Sequence, residues 1–343
     1  MPVKPSVAAK AWVVFDRIVE RAAPNNVYSN PWLKNAEGQL IYEPDYATLC
    51  LLLGVPLSLK ANTQSGVPAL ALDVWLSYEL RRAGFDADQT WPRPKHPRIL
   101  PASVAKLLKH LPLKESQSLR ARIERQGVRE VTSSSATILG KNYLKQVDVI
   151  ITDWATGPEL LISTKRMDSS YAKNAPNRVE ESYGDAKNLR LRHPLAALGF
   201  LLGLRSDILV KEPATAEWLF DLLIKLGQED DAYHATALIL MDYSDSAAVM
   251  DNGEEPGPDI TLEPGAERED EEAPRATDIA RADQSIADLP NVRLLIDETP
   301  AELRPDRFLA AVVDHVLRTT PVTMHKVARS RRARSREDVL VPS

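Results

Sequence analysis

A single cysteine, Cys50, stands in 343 residues, which excludes an internal disulfide and a cysteine-rich zinc site. A cytoplasmic protein is the expectation that follows. No apolar run approaches the roughly 20 residues that a membrane helix needs. The N-terminal stretch SVAAKAWVVFDRIVERAA carries Asp16, Arg17 and Glu20 where the apolar segment of a secretion signal would continue. The spacing of Val14, Ile18 and Arg21/Ala22 predicts an amphipathic helix there instead. The chain lacks a glycine-rich phosphate loop, so it carries no ATP-driven motor. Its six histidines, at 96, 110, 193, 234, 315 and 325, are dispersed without metal-ligand spacing. There is no internal repeat.

What is present is ordinary globular chemistry, 44% hydrophobic and 27% charged. The net charge of −5 conceals an uneven distribution. Residues 251–290 hold 13 acidic and 3 basic side chains, leaving 40 basic and 35 acidic for the rest. A mildly basic body behind an acidic segment suits a polyanionic partner.

Residues 1–64 read as a mostly helical region with a turn-rich middle, PNNVYSNPWLKNAEG. In ALALDVWLSYELRRAGF, Leu72, Trp75, Leu76 and Leu80 form one apolar stripe that Gly84 stops. The stretch WPRPKHPRILP is an extended loop, and one or two helices follow it. QVDVIITDWA and ELLISTKRM are β-branched, apolar strands joined at Gly157-Pro158. NAPNRVEESYGDAKNLR reads as a polar helix, Ala197 to Leu204 as a strand, and TAEWLFDLLIKLGQ as a helix. YHATALILMDY and NVRLLIDE are further strands. A last helix carries Phe308, Val312 and Val316 on its buried face. The expected class is α/β, with a central mixed sheet flanked by helices. The core covers 65–249. An acidic, Pro- and Gly-rich segment at 250–288 is expected to be a disordered insertion. The last strand and helix occupy 289–320, and 321–343 is expected to be a disordered basic tail.

In a strand, alternate residues share a face. Val147, Val149 and Ile151 point one way, and Gln146, Asp148 and Ile150 the other. On the partner strand, Leu160, Ile162 and Thr164 oppose Ser163 and Lys165. Asp148, Ser163 and Lys165 therefore converge on one face of a hairpin. An acid and a lysine so placed could hold a hard divalent cation and a water. A structural ion pair on a solvated face would place the same residues there.

The arrangement resembles the PD-(D/E)xK nuclease superfamily, to which most type II restriction endonucleases belong. The superfamily's core runs helix, three strands, helix, strand, an order read here from about residue 69 to 241. The resemblance matches Asp148 to the family's first acid, with Val147 where a proline is common. It matches Lys165 to the lysine, and Glu79 to an acid on the preceding helix. Ser163 stands where the second carboxylate is usual. Members with Ser-x-Lys bring that carboxylate from a following helix, and Glu180 and Glu181 lie 15 and 16 residues after Lys165. With Val179, Tyr183 and Ala186 as the buried stripe, Glu180 is slightly preferred over Glu181. Glu159 shares the lysine's face but lies six residues away, roughly 20 Å along a strand. Glu43-Pro44-Asp45 has no matching strand after it.

The resemblance implies phosphodiester hydrolysis, with Mg²⁺ held by Asp148, Glu180 and Glu79, and Lys165 acting on the attacking water or on the phosphate. It implies a DNA partner, contacted by Arg166, Lys173, Arg178, Lys187 and Arg190, and a homodimer, since cutting two strands calls for two sites. The loop WPRPKHPR is a further candidate contact. A solvated helix face would place the same cations. A catalytically inactive DNA-binding protein on the same fold is the rival reading, and Ser163 favours it.

Overall fold

The computed structural model describes residues 6–126, 136–245, 260–261 and 276–337. Helix α1 (Val7–Ala22) starts at Ser6, whose hydroxyl accepts from the Ala9 N–H at 3.0 Å, and buries Trp12, Phe15 and Ile18 on one face. The turn-rich segment after it is not helical. Strands β1 (Trp32–Lys34) and β2 (Leu40–Tyr42) pair there as a small antiparallel hairpin. Helix α2 (Tyr46–Ser58) is capped by Asp45, and α3 (Val67–Ala83) follows. Helix α3 is buried nearly all round and stops at Gly84, where φ is +106°. A Cβ on Gly84 would lie 2.8 Å from the Ala328 backbone, so glycine serves both the left-handed turn and the close approach.

Strand β3 (Thr90–Trp91) leads into the proline-rich loop, followed by α4 (Ala102–His110) and α5 (Leu113–Gln126). Two hairpins come next: β4 (Ala136–Leu139) with β5 (Leu144–Val147), and β6 (Val149–Asp153) with β7 (Gly157–Met167). Then follow α6 (Tyr171–Arg190), β8 (Ala197–Arg205), the short α7 (Ile208–Lys211), α8 (Pro213–Leu226) and β9 (Ala235–Asp242). The remaining elements are β10 (Ile260–Thr261), α9 (Ala276–Ala287), β11 (Arg293–Leu294), α10 (Pro305–Thr319), α11 (Lys326–Ala333) and β12 (Arg336–Glu337).

The central sheet has six strands in the order β11-β9-β8-β7-β6-β3. Strands β7, β8 and β9 are parallel, while β3, β6 and β11 run antiparallel to their neighbours, so the sheet is mixed, as expected. Strand β8 is buried along its whole length, which is why ALGFLLGLR reads as an unbroken apolar run rather than an alternation. Helices α1, α2, α3 and α10 cover one face and α6 and α8 the other, each with its own apolar core. Among the described residues, no helix is long and apolar enough to cross a membrane.

Two segments expected to be disordered are partly helical. In the acidic insertion, α9 lays Ala282 and Ile286 into the core, and Asp283 accepts from Arg17 and Arg21 of α1. The remainder of that segment, residues 250–259 and 262–275, lies outside the described residues. In the basic tail, α11 packs on α3 through Ala328, and β12 pairs parallel to β1. Two of its arginines are spent on carbonyls, and Arg332 pairs with Asp314 (2.6 Å). Arg329 donates to Leu317 (2.7 Å) and Thr320 (2.9 Å) at the end of α10 and to Met324 (2.9 Å) in the turn before α11, and Arg331 donates to Arg82 at the end of α3.

His325, at the start of α11, sets Nε2 2.7 Å from Glu159 Oε2, with both side chains almost fully buried. His325→Ala would leave the buried acid with the Thr156 hydroxyl as a donor and without the basic neighbour. We expect a loss of about 3–5 kcal/mol in urea denaturation, with faster tryptic cleavage at Arg329 to Arg334. An unchanged unfolding midpoint and cleavage rate would show that the pair does not hold the tail.

Candidate functional site

Alternation along β7 divides its side chains between the two layers. Leu160 and Ile162 enter the core under α3, and the Thr164 hydroxyl donates to Asp73 of α3. Leu161 enters the opposite core, under α6 and α8. Ser163 and Lys165 share its side, where the Lys165 ammonium lies 3.9 Å from Glu181 of α6.

Asp148 falls at a break. The strand expected to run through it is two strands, β5 and β6, in different sheets. Val147 therefore packs in the core under α6 and Val149 in the core under α3, although simple alternation puts them on one face. The Asp148 carboxylate takes over as backbone acceptor, receiving the Thr164 N–H at 2.8 Å. That bond places it against β7 between Ser163 and Lys165.

Helix α6 supplies the rest. Its buried side chains include Asn174, Ala175, Arg178, Ser182, Asp185, Ala186 and Leu189, while Tyr183 is exposed and Val179 only half-buried. The inward face is thus turned by about one residue from the expected stripe, because polar side chains occupy it. That rotation decides between the two glutamates: Glu180 is exposed, and Glu181 points in, held by Arg178 at 2.9 Å and facing Lys165. The preference for Glu180 as a metal ligand is corrected accordingly.

Glu79 does not join them. It lies on α3, across the sheet from Ser163 and Lys165, fully buried. It accepts from Arg82 (2.7 and 2.9 Å), the Asp45 N–H (2.7 Å) and the Tyr42 hydroxyl (3.1 Å). Burial pushes its carboxyl up to about 7 against the pull of Arg82. It ties α3 to the capping turn of α2 and is not a site residue. Asp45, in the Glu43-Pro44-Asp45 stretch that no matching strand follows, is that cap, accepting from the Thr48 N–H at 2.9 Å.

Two expected DNA contacts are structural. Arg166 is buried on the α3 side against Asp168 (3.0 Å), and Arg178 is buried against Glu181. In the proline-rich loop, Arg98 is buried between Asp16 (2.8 Å) and the Trp12 ring, and Arg93 pairs with Asp88 (2.7 Å). Lys173 is exposed, Lys187 lies 3.2 Å from Asp231, and Arg190 reaches His234.

Sequence reasoning missed a second ion pair at the same place. Lys145 of β5, 4% exposed, lies 2.7 Å from Asp185 of α6, which also accepts from the Tyr143 hydroxyl at 3.3 Å. Burial raises the Asp185 carboxyl above its ordinary range, opposed by Lys145, Lys165 and Tyr143. Asn188 fastens the β4–β5 turn alongside: its side-chain oxygen accepts from Asn142 (2.9 Å) and its amide donates to the Tyr143 carbonyl (3.1 Å). It presses so close to Gly140 that a Cβ there would lie 2.1 Å away. Tyr233 closes the floor, donating to the Ser182 carbonyl at 2.9 Å, with burial and the nearby Asp185 and Asp148 raising its hydroxyl well above 10. The available signal was Arg178, Ser182 and Asp185 at helical spacing, a polar stripe where an apolar one belongs.

Mg²⁺ takes oxygen ligands, keeps several waters and needs only one or two protein carboxylates. Among the described residues no group of three His, Cys, Asp or Glu side chains could hold a metal ion. Asp148, bound to the Thr164 N–H, and Glu181, 3.9 Å from Lys165, are hard oxygen donors of the kind Mg²⁺ takes together with water, and they do not form a protein cage.

No family model, curated protein or solved structure matches the chain.

Lys145→Met alone would strand Asp185 in the interior, at an expected cost of about 3–5 kcal/mol. Lys145→Met with Asp185→Leu should cost much less than the two single changes together. A urea double-mutant cycle with additive effects would show the pair uncoupled.

Proposed function

We propose that the chain is a Mg²⁺-dependent DNA endonuclease of the PD-(D/E)xK kind, serving restriction or phage defence, cytoplasmic and working as a homodimer. The observation that supports it most is the meeting of Asp148, Ser163, Lys165 and Glu181 from three elements: the β5–β6 break, β7 and α6. Glu181 brings to the lysine the second carboxylate that the Ser-x-Lys pattern leaves wanting.

Asp148 and Glu181 would hold the ion. When bound, it supplies positive charge to the scissile phosphate and to the attacking water. Lys165 orients that water or donates to a phosphate oxygen, offsetting charge that grows at phosphorus. Arg178, held by Glu181, keeps that carboxylate turned inward. Asp148 is positioned by the Thr164 N–H, and the Lys145–Asp185 pair anchors the strand that leads into it. Glu79 has no part in this.

One observation favours the inactive DNA-binding alternative. Ser163 supplies no carboxylate, and Glu181 is already engaged by Arg178 at 2.9 Å. Incubation of the purified chain with unmethylated phage DNA and Mg²⁺ separates the two. Discrete fragments should appear with the wild type and with Glu180→Ala, and be lost by at least about a hundredfold in Lys165→Ala and Glu181→Ala. Binding without cleavage across modified and unmodified DNA would establish the inactive reading.

A further inference from the structure

At the N-terminal ends of β8 and β9, away from Lys165, three side chains from three elements come together: Arg190 in the last turn of α6, His234 just before β9, and His315 of α10. The imidazole centroids are 3.8 Å apart. Arg190 Nη1 lies 3.1 Å from His234 Nδ1 and 2.5 Å from its Nε2. The chemistry of these contacts is incomplete. His234 Nδ1 accepts from the Leu198 N–H at 2.9 Å, so the proton of the neutral ring sits on Nε2. Arg190 Nη1, close to both ring nitrogens at once, lies over the imidazole face and offers Nε2–H no acceptor. His315 Nε2 is buried and has no hydrogen-bond partner, while that ring also meets the Leu195 carbonyl.

No carboxylate settles this among the described residues. Asp314, the acid nearest His315, is taken by Arg318 (2.6 Å) and Arg332 (2.6 Å). A transition metal is disfavoured twice. A guanidinium stands against the rings, and His234 cannot present Nε2 as a lone pair while Nδ1 accepts from Leu198. An oxyanion would accept from Arg190 and from His234 Nε2–H, and a protonated His315, its Nε2 already enclosed by protein, would add positive charge beside it.

We propose that Arg190, His234 and His315 form a binding site for a phosphate-type oxyanion, taken either free or as a phosphate ester of nucleic acid. Arg190 and His234 supply the donors from α6 and from the lead into β9, and His315 of α10 supplies charge. The site is separate from Asp148 and Lys165 and does not depend on the nuclease reading.

The titration behaviour agrees. Burial, His315 and Arg190 hold His234 down at about 3, and burial and Arg190 lower His315. A histidine depressed on folding stabilises the protein fully above its ordinary value near 6.5, and that stability is lost as pH falls toward about 3. A bound anion reverses part of this loss by favouring the charged rings.

The test uses the full chain without divalent metal, so that cleavage plays no part. Imidazole NMR titrations are recorded in chloride, in inorganic phosphate at matched ionic strength, and with a short DNA duplex. His234→Asn and His315→Asn assign the signals. Phosphate or the duplex should raise both histidine values by about one to three units and raise the thermal midpoint near pH 6. Arg190→Gln and His315→Gln should abolish both effects, and Lys225→Gln should leave them intact. A response to phosphate alone identifies a free or terminal phosphate as the ligand, and a response to the duplex identifies the backbone. Titrations identical in chloride, phosphate and DNA, or a wild-type response in Arg190→Gln and His315→Gln, would overturn the site.

Discussion

The period-two alternation of β7 is the constraint on which the rest of the molecule depends. Each side chain of that strand belongs to one of two layers, and the layers are chemically unlike. The α3 side receives Leu160, Ile162, Thr164 and the buried Arg166. The α6 side receives Leu161, Ser163 and Lys165. The site needs a second event on the neighbouring strand. Where Asp148 breaks the ladder, its carboxylate replaces a backbone carbonyl as acceptor for Thr164. The break costs little hydrogen bonding, because a charged acceptor substitutes for a neutral one. It also frees β5 to carry Lys145 to α6.

The pocket that results is close to charge balance. Asp148, Glu181 and Asp185 stand with Lys145, Lys165 and Arg178, several of them more than nine-tenths buried. Charges removed from water persist only when paired, so these groups hold one another in place. A phosphate entering there would compete with Glu181 for the cations, and a cation would compete with them for the carboxylates.

The C-terminal segment shows how far composition can mislead. Six Lys and Arg in residues 326–336 read as a solvated tail. Instead, Arg329 and Arg331 cap the carbonyl ends of two helices, and Ala328 seats against Gly84. Helix ends inside a folded protein need donors, and arginine reaches them while its stem covers apolar surface. Helix α9 makes the same point with acids, through Asp283 and the arginines of α1.

The amino-acid sequence by itself determined the α/β class, strands at 159–167 and 197–204, helices near 69–84 and 304–321, and the candidates Asp148, Ser163 and Lys165, although Gly157-Pro158, read as the turn, opens strand β7. Periodicity and strand alternation are local properties, and burial enforces them. Only the tertiary structure decided that Glu181 rather than Glu180 turns inward, that Glu79 lies across the sheet, and that Lys145 and Asp185 belong to the site. A helix face lined by Arg178, Ser182 and Asp185 has no apolar signal, so its direction is set by the charges it meets across space. The break at Asp148 is equally invisible along the chain, because it follows from β5 pairing with β4 and β10 in a different sheet.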